Sequence, residues 1–416
     1  MLESSRDVVS HLARWIVPID RPPIEHGCIV VQGDRILAVG SAEQVAAGRR
    51  IKHGDAIITP GFVNAHAHLE FSGLTSPLGE RGMAFPDWIM NVLEYRRAPE
   101  FDARAATFAG LQESLRFGTT TLGDIASCLP SLLLDEPPAD IDVTSFIELI
   151  GLSAGRAAAQ VDRLAEHLAK HPDGPGIRRG ISPHAPYTIR SALLEAAVRA
   201  SAEQRVPLAF HLAESREELQ LLATADGPMV DYMRTLGAWD PSAIALGTRP
   251  LDYLRILTAA HRALVIHGNY LVDDEIDFLA AQADRLTTVY CPRTHDYFQH
   301  PPHPLPKLLE RGASVALGTD GLCTNPDLSL LEEMRHVART FPQLPPERIL
   351  QLGTLDGAQA LGLAAEVGSL TPGKRADFIV FEESSWEREP CAALLHHPAL
   401  IGDVYYRGRN VADFVT

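Results

Sequence analysis

Apolar and β-branched residues recur along the chain in short runs of three to seven, spaced so that a polar or helical stretch separates most neighbours. In the central part the runs predict strands at Ile57–Val63, Thr119–Asp124, Thr144–Leu149, Arg179–Pro183, Leu208–His211, Leu264–His267, Thr288–Tyr290 and Ser314–Gly318. Between them the hydrophobic period lengthens towards 3.6, and helices are predicted clearly at Ala103–Phe117, Arg156–Lys170, Ser191–Gln204 and Asp273–Gln282. Strand and helix alternating through eight strands predict a parallel (β/α)8 TIM barrel of the α/β class rather than an open sheet. The two ends read differently. Arg14–Pro18, Gly27–Gln32 and Arg35–Gly40 are strand-like, the last two joined across Gly33-Asp34, a hairpin signal. Strand character returns at Val367–Leu370, Asp377–Phe381, Asp403–Tyr406 and Gly408–Val411. Neither end can bury much surface alone, so the two are expected to join as one small β-sandwich. The expected organisation is residues 1–58 and 366–416 for that sandwich and 59–365 for the barrel. Pro372-Gly373-Lys374 is read as a turn, because the glycine-rich stretch and helix of a phosphate loop are absent.

Composition narrows the function classes. A chain of 416 residues with 46% hydrophobic and 22% charged residues is an ordinary globular protein, and an α/β barrel accommodates that length. A net charge of −16 argues against nucleic acid and anionic membranes as partners, since both require a basic face. Five scattered cysteines without CxxC spacing suit reduced thiols in a cytoplasm. Residues Met1 to Asp7 lack a basic segment followed by an apolar core, so no signal peptide is expected, and no apolar run is long enough for a membrane span.

In a parallel barrel the chemistry gathers at the C-terminal ends of the strands. Here those ends carry His66 and His68, then His184, then His211 with Glu214 three residues on, then His267, then Asp320. Residues i and i+2 of a strand face the same side, so His66 and His68 can address one metal ion. Each residue alone has a structural explanation: a core histidine with its hydrogen bonds made, or an aspartate capping a helix. Their convergence on one barrel mouth does not. Three imidazoles and a carboxylate suit a borderline divalent metal with a position open for water, and His66, His68, His211 and Asp320 are the expected ligands. Such a metal lowers the pKa of its water to about 7. Glu214 is placed to take and pass on a proton, and His267 to polarise the bond attacked. The helix opened by Ser215-Arg216-Glu217-Glu218 brings its N-terminal dipole close by, with carboxylates expected to be exposed helix-start residues.

These residues also carry a family resemblance. Gly27–Val31 with Gly33–Gly40, Pro60–His68, Phe117–Thr121, Ser182-Pro183-His184-Ala185-Pro186-Tyr187, His211–Glu214, Cys291-Pro292-Arg293, Leu317–Gly321 and Pro372–Asp377 occur in order over nearly the whole length. The set resembles the amidohydrolase superfamily, in the branch of nucleoside, adenosylhomocysteine and guanine deaminases and triazine chlorohydrolases. The resemblance implies a (β/α)8 barrel with a terminal β-sandwich and one divalent metal, zinc or iron(II), on the four ligands named. It also implies a substrate contact for His184 and, in this branch, frequent assembly into homo-oligomers. The bridging lysine of two-metal relatives is missing from strand 4. After Cys291-Pro292-Arg293 comes Thr294-His295-Asp296 where the family often has Ser-Asn; this loop, with Arg293, is expected to line the substrate pocket.

The expected partner is therefore a small molecule, and the expected reaction is hydrolytic deamination of an amino-purine nucleoside or related aromatic amine. Glu214 would protonate a ring nitrogen while Asp320 shuttles a proton to the departing amine. The stretch His68-Leu69-Glu70-Phe71-Ser72 is similar to aminodeoxyfutalosine deaminases of menaquinone biosynthesis, which would have Glu70 and Ser72 reaching a ribose or carboxylate-bearing substituent. Glu70 could equally pair with an arginine of the barrel. Phe85–Leu93 is expected as a helical flap, with Trp88 either an aromatic pocket wall or a packing residue. The alternatives are hydrolysis of an amide or carbon–halogen bond on the same scaffold, and a non-catalytic binding protein, which would not need to keep all the ligands.

Overall fold

The computed structural model describes residues 7–382, 389–397 and 400–411. Two eight-stranded sheets organise it. The first takes β1 (Val8–Ile16), β2 (Ile24–Gln32), β3 (Arg35–Ser41), β4 (Arg49–Lys52) and β5 (Ile57–Pro60) from one end of the chain. The second is wholly parallel and runs in sequence order through β6 (Phe62–Ala67), β7 (Thr119–Ala126), β8 (Asp142–Leu149), β9 (Ile177–Pro183), β10 (Leu208–Leu212), β11 (Ala263–His267), β12 (Leu286–Tyr290) and β13 (Ser314–Leu317). From the other end, β14 (Phe378–Glu382), β15 (Leu400–Tyr406) and β16 (Arg409–Asn410) complete the first sheet in the order β16-β15-β14-β5-β1-β2-β3, with β4 also paired to β1. Of the sequence readings, residues 1–6 and parts of 366–416 (383–388, 398–399, 412–416) lie outside the described residues.

The barrel predicted from the strand–helix alternation is present, and so is the sheet built from both ends. The Gly33-Asp34 hairpin forms, with Gln32 opposite Arg35. One strand divides where the apolar pattern is continuous. Residues 57–60 pair in parallel with β1 and antiparallel with β14, whereas residues 62–67 pair with β7. The switch takes one residue: the Gly61 amide donates to the Asp377 carbonyl of the terminal sheet, and the Phe62 amide to the Gly118 carbonyl of the barrel, both at 2.9 Å. A Cβ at position 61 would overlap the Thr120 side chain, which is why the chain passes there as glycine. Val367–Leu370, expected as a strand, is irregular, and Leu370 instead donates to the Pro18 carbonyl. The Lys374 ammonium is occupied by the Val367 carbonyl and Ser369 Oγ, as in a turn and not a phosphate site.

The helices observed at Ala103–Arg116, Ala154–Lys170, Ser191–Gln204 and Asp273–Ala281 cover the outside of the barrel. The first two begin at Asp102 and Ser153, whose side chains accept from backbone amides three residues on. Inside, Val63, Ala65, Phe146, Ala209, Leu264, Ile266, Val289 and Ala316 form a dry floor contributed by six of the eight strands. Closure between β13 and β6 occurs at the mouth, where the Thr319 and Asp320 amides both donate to the His66 carbonyl at 3.1 Å. No helix among the described residues is long and apolar enough to cross a membrane.

Candidate active site

His66 lies within β6 and His68 one residue past its end, so the strand's period-2 geometry turns both inward above the floor. β10 contributes His211, β11 ends in His267, and Asp320 follows β13. The His66 and His68 Nε2 atoms each lie 3.7 Å from Asp320 Oδ1, and the His68 and His211 Nε2 atoms are 3.4 Å apart. Ligands at about 2.1 Å from one tetrahedral ion stand about 3.4 Å from each other, so these separations suit a shared metal. His66 is fully buried, yet neither of its ring nitrogens has a hydrogen-bond partner among the described residues, a costly arrangement without a cation. His211 Nδ1 donates to the His184 carbonyl at 3.0 Å, which leaves Nε2 with its lone pair facing the cluster. His66, His68, His211 and Asp320 thus fit a divalent metal. His267 stands beside them, and its donor atom also falls within 4.8 Å of those of His66 and His211.

Three strand ends turn through left-handed backbone to aim these groups: Ala213 at φ 56°, His267 at 69° and Asp320 at 58°. Such conformations in non-glycine residues cost about 1–3 kcal/mol each and persist where surrounding structure holds them. The Ala213–Glu214 turn is held by Glu218, whose carboxylate accepts both amides at 2.8 Å. Glu218 is fully buried, contrary to its expected place as an exposed helix-start residue. Burial pushes its pKa up to about 7 against the pull of those amides.

Glu214 Oε1 lies 3.3 Å from His267 Nε2. Burial, with the charges of Asp320 and Glu218, drives the Glu214 pKa well above the usual carboxylate range. Asp320 goes the other way: burial raises it, but the imidazoles of His66, His68 and His267 outweigh burial and hold it low. Burial also pulls His267 down to about 3 and lowers His68, His184 and His211, which favours in these four the neutral imidazole that a metal ligand requires.

A cavity of about 400 Å³ opens above the cluster and is lined by His68, His184, His211, Glu214, His267 and Asp320. Aromatic residues make much of its wall, including Trp88 and Phe85 from the helix Phe85–Arg97 and Tyr187 from the loop after β9. That helix is the flap expected at 85–93, four residues longer. Trp88 is both wall and packing residue, its Nε1 donating to the Cys323 carbonyl at 3.3 Å.

Three expected pocket residues point elsewhere. Glu70 pairs with Arg96, an arginine of the flap helix and not of the barrel, and accepts from the Cys128 amide. Ser72 faces Gly110 on the helix Ala103–Arg116, and its Oγ has no hydrogen-bond partner among the described residues. Arg293 does not line the cavity: its guanidinium is held by Glu333 at 2.6 Å and Asp327 at 2.9 Å, which anchors the loop after β12 from behind. Conversely, Glu148, Arg96, Arg97 and Arg156 line the cavity and were not anticipated. Glu148 had one available signal, since it stands two residues after the inward-facing Phe146 on the same strand.

Residues 57–404 match the amidohydrolase family model. The chain is 30% identical to the 5-methylthioadenosine/S-adenosylhomocysteine deaminase of Moorella thermoacetica, over 88% of this chain and 84% of that one. It is 28% identical to the aminodeoxyfutalosine deaminase of Deinococcus radiodurans, over 87% and 86% respectively. Among solved structures it superposes on an adenosine deaminase from Xanthomonas campestris with bound zinc at a TM-score of 0.75 and 23% identity, covering 97% of this chain and 92% of that one. The barrel, the terminal sheet and the family match over most of the length agree: the chain belongs to the amidohydrolase family.

Proposed function

We propose that this protein is a metal-dependent hydrolytic deaminase of an amino-purine nucleoside, with aminodeoxyfutalosine as the leading single substrate. The observation that carries the reading is geometric: His66, His68, His211 and Asp320 stand within a shared ion's reach of one another at the floor of one cavity, and Glu214 faces the same cavity 3.3 Å from His267. The burial that raises the Glu214 pKa suits a carboxyl that gives up a proton, while Asp320 is held low. His66, His68, His211 and Asp320 would hold one divalent ion, zinc or iron(II), which when bound supplies a water acidic enough to attack at neutral pH.

The remaining work falls to the chain. Overall, the water oxygen replaces the amine on the purine carbon and ammonia leaves. Protonated Glu214 gives its proton to the ring nitrogen next to the attacked carbon, so that carbon can accept the oxygen's electron pair. Ionised Asp320 collects the first proton lost by water and returns it to the departing amine, and the second, left on the added hydroxyl, passes back to Glu214 as the carbonyl forms and the carbon–nitrogen bond breaks. His267, neutral and next to Glu214, orients that carboxyl and hydrogen-bonds the oxygen that becomes the product carbonyl. His184 holds the substrate from the opposite side. Each placed proton transfer is worth about 10²–10⁴ in rate.

The aromatic wall suits a purine and a further ring. Arg97 and Arg156 line the cavity without an ion pair among the described residues, which suits a carboxylate-bearing substituent. The Deinococcus relative bears the same substrate in its name. The test is ammonia release with ultraviolet monitoring on aminodeoxyfutalosine, adenosine, adenosylhomocysteine, methylthioadenosine and guanine. The expected result is turnover of nucleosides, fastest for aminodeoxyfutalosine, reduced at least about 100-fold in Glu214→Gln at unchanged metal content. Silence across the panel from metal-loaded enzyme would sink the deaminase reading and turn attention to amide and carbon–halogen bonds.

A further inference from the structure

Along β8, Phe146 points into the barrel and forms part of the dry floor. Glu148, two residues on, faces the same way one layer higher and comes out in the cavity. A glutamate at this level must find hydrogen-bond donors, because an ionised carboxylate is acceptor-only. Among the described residues it finds none. Glu148 is 4% exposed, and His184 Nε2 stands 3.9 Å from its carboxylate, beyond hydrogen-bonding distance. Arg96 lines the same cavity, but its guanidinium hydrogen-bonds Glu70.

His184 cannot serve as the missing donor. The Thr188 hydroxyl donates to the Ala185 carbonyl at 3.1 Å, so its contact with His184 Nδ1 at 2.8 Å requires the imidazole to donate there. With the proton on Nδ1, the Nε2 atom of neutral His184 is also an acceptor. Two acceptors therefore stand side by side at the cavity wall. They are too far apart to share a hydrogen and close enough to be met together by adjacent hydroxyl groups. A single ammonium would match the carboxylate alone, whereas a vicinal diol brings one O–H for each acceptor.

We propose that Glu148, with His184 Nε2, forms a diol-reading subsite that makes the enzyme select ribonucleosides over free bases and deoxynucleosides. The inference rests on the nucleoside-deaminase reading above. Glu148 is a specificity-determining residue on this account and takes no part in the proton transfers.

The test measures binding and turnover separately. Metal-loaded protein arrested by Glu214→Gln is titrated calorimetrically with adenosine, 2′,3′-dideoxyadenosine and adenine. Loss of both hydroxyls is expected to weaken binding by at least about tenfold, the usual cost of removing donors from a charged acceptor. Adding Glu148→Leu should cut that preference to under about threefold, with Glu148→Gln, which keeps one acceptor oxygen, in between. In otherwise native enzyme, Glu148→Gln should raise KM for adenosine while leaving kcat within a few-fold. Equal affinity for adenosine and the dideoxy analogue, a preference that survives Glu148→Leu, or no binding of adenosine would each overturn the proposal. The two readings fail separately. An unarrested enzyme that releases no ammonia while the arrested protein prefers the diol condemns only the deaminase assignment; an active enzyme indifferent to the hydroxyls condemns only the subsite.

Discussion

Asp320 does two jobs that a single substitution can separate. Its carboxylate sits 3.7 Å from both His66 and His68, and its backbone closes the barrel against the His66 carbonyl. Asp320→Asn keeps the backbone and the volume but removes the charge that balances a divalent ion. The expected outcome is loss of bound metal on dialysis, read by elemental analysis, with activity falling in parallel and the folded circular-dichroism signal kept; unchanged metal content would remove Asp320 from the ligand set. The histidines were legible in the sequence because strand geometry has a period of two and a barrel gathers its strand ends at one face. Residues set by side-chain direction in loops were not legible. Arg293 belongs to a loop near the mouth, yet it turns back to the buried Glu333, a carboxylate 40 positions away that no local pattern connects to it. Glu70 and Ser72 fail similarly, because the short helical turn at Leu69–Phe71 takes them off the strand's inward face.

At the scale of elements, the site depends on how tightly β13 meets β6. Gly318 lies where a Cβ would stand 2.8 Å from both the Cβ and the carbonyl oxygen of His66. Gly318→Ala must therefore push the two strands apart at the point where they position His66 and Asp320. Overpacking of this kind costs about 1–3 kcal/mol. A lowered melting temperature is expected together with weaker metal affinity, measured by competition with a chelator; destabilisation with native metal affinity would show that the close approach serves packing alone. The strand sequence hid such detail elsewhere too. Ile57–Val63 is one unbroken apolar run, and hydrophobic pattern alone cannot report that its hydrogen bonds change sheets at Gly61. Strand existence was readable, while membership of a particular sheet depended on partners more than 50 residues away, such as Gly118 and Asp377.

At the scale of the whole molecule, the terminal sheet is fastened to the barrel by a charge network centred on Asp142, at the start of β8 and fully buried. Its carboxylate takes hydrogen bonds from Arg375, from Tyr406 at 2.5 Å, and from Arg178 and Arg407 at 3.1 Å each, so three of its four donors come from the chain's C-terminal part. Burial raises the Asp142 pKa, but Arg375 and the other donors more than compensate and hold it at about 2, below the ordinary 3.8. A depressed carboxylate stabilises the fold fully above its unfolded pKa and loses that contribution as pH falls through its folded pKa. Asp142 therefore contributes on the order of 2 kcal/mol near neutrality, which disappears as acid is added between about pH 4 and pH 2. Removing it outright is worse than neutralising it, because Arg375 is left buried and uncompensated; Asp142→Ala should cost about 3–5 kcal/mol. The expected measurement is a set of denaturant midpoints from pH 7 to pH 2, in which native protein loses stability in the acid range and Asp142→Asn starts lower but loses less over the same interval. Metal content and kcat at permissive temperature should be unchanged in that variant, since the network lies at the opposite end of β8 from Glu148 and the cavity. Parallel curves for the two proteins would mean that the acid sensitivity arises elsewhere, and a loss of kcat in folded Asp142→Asn would mean that the seam between the two sheets also sets the geometry of the barrel mouth.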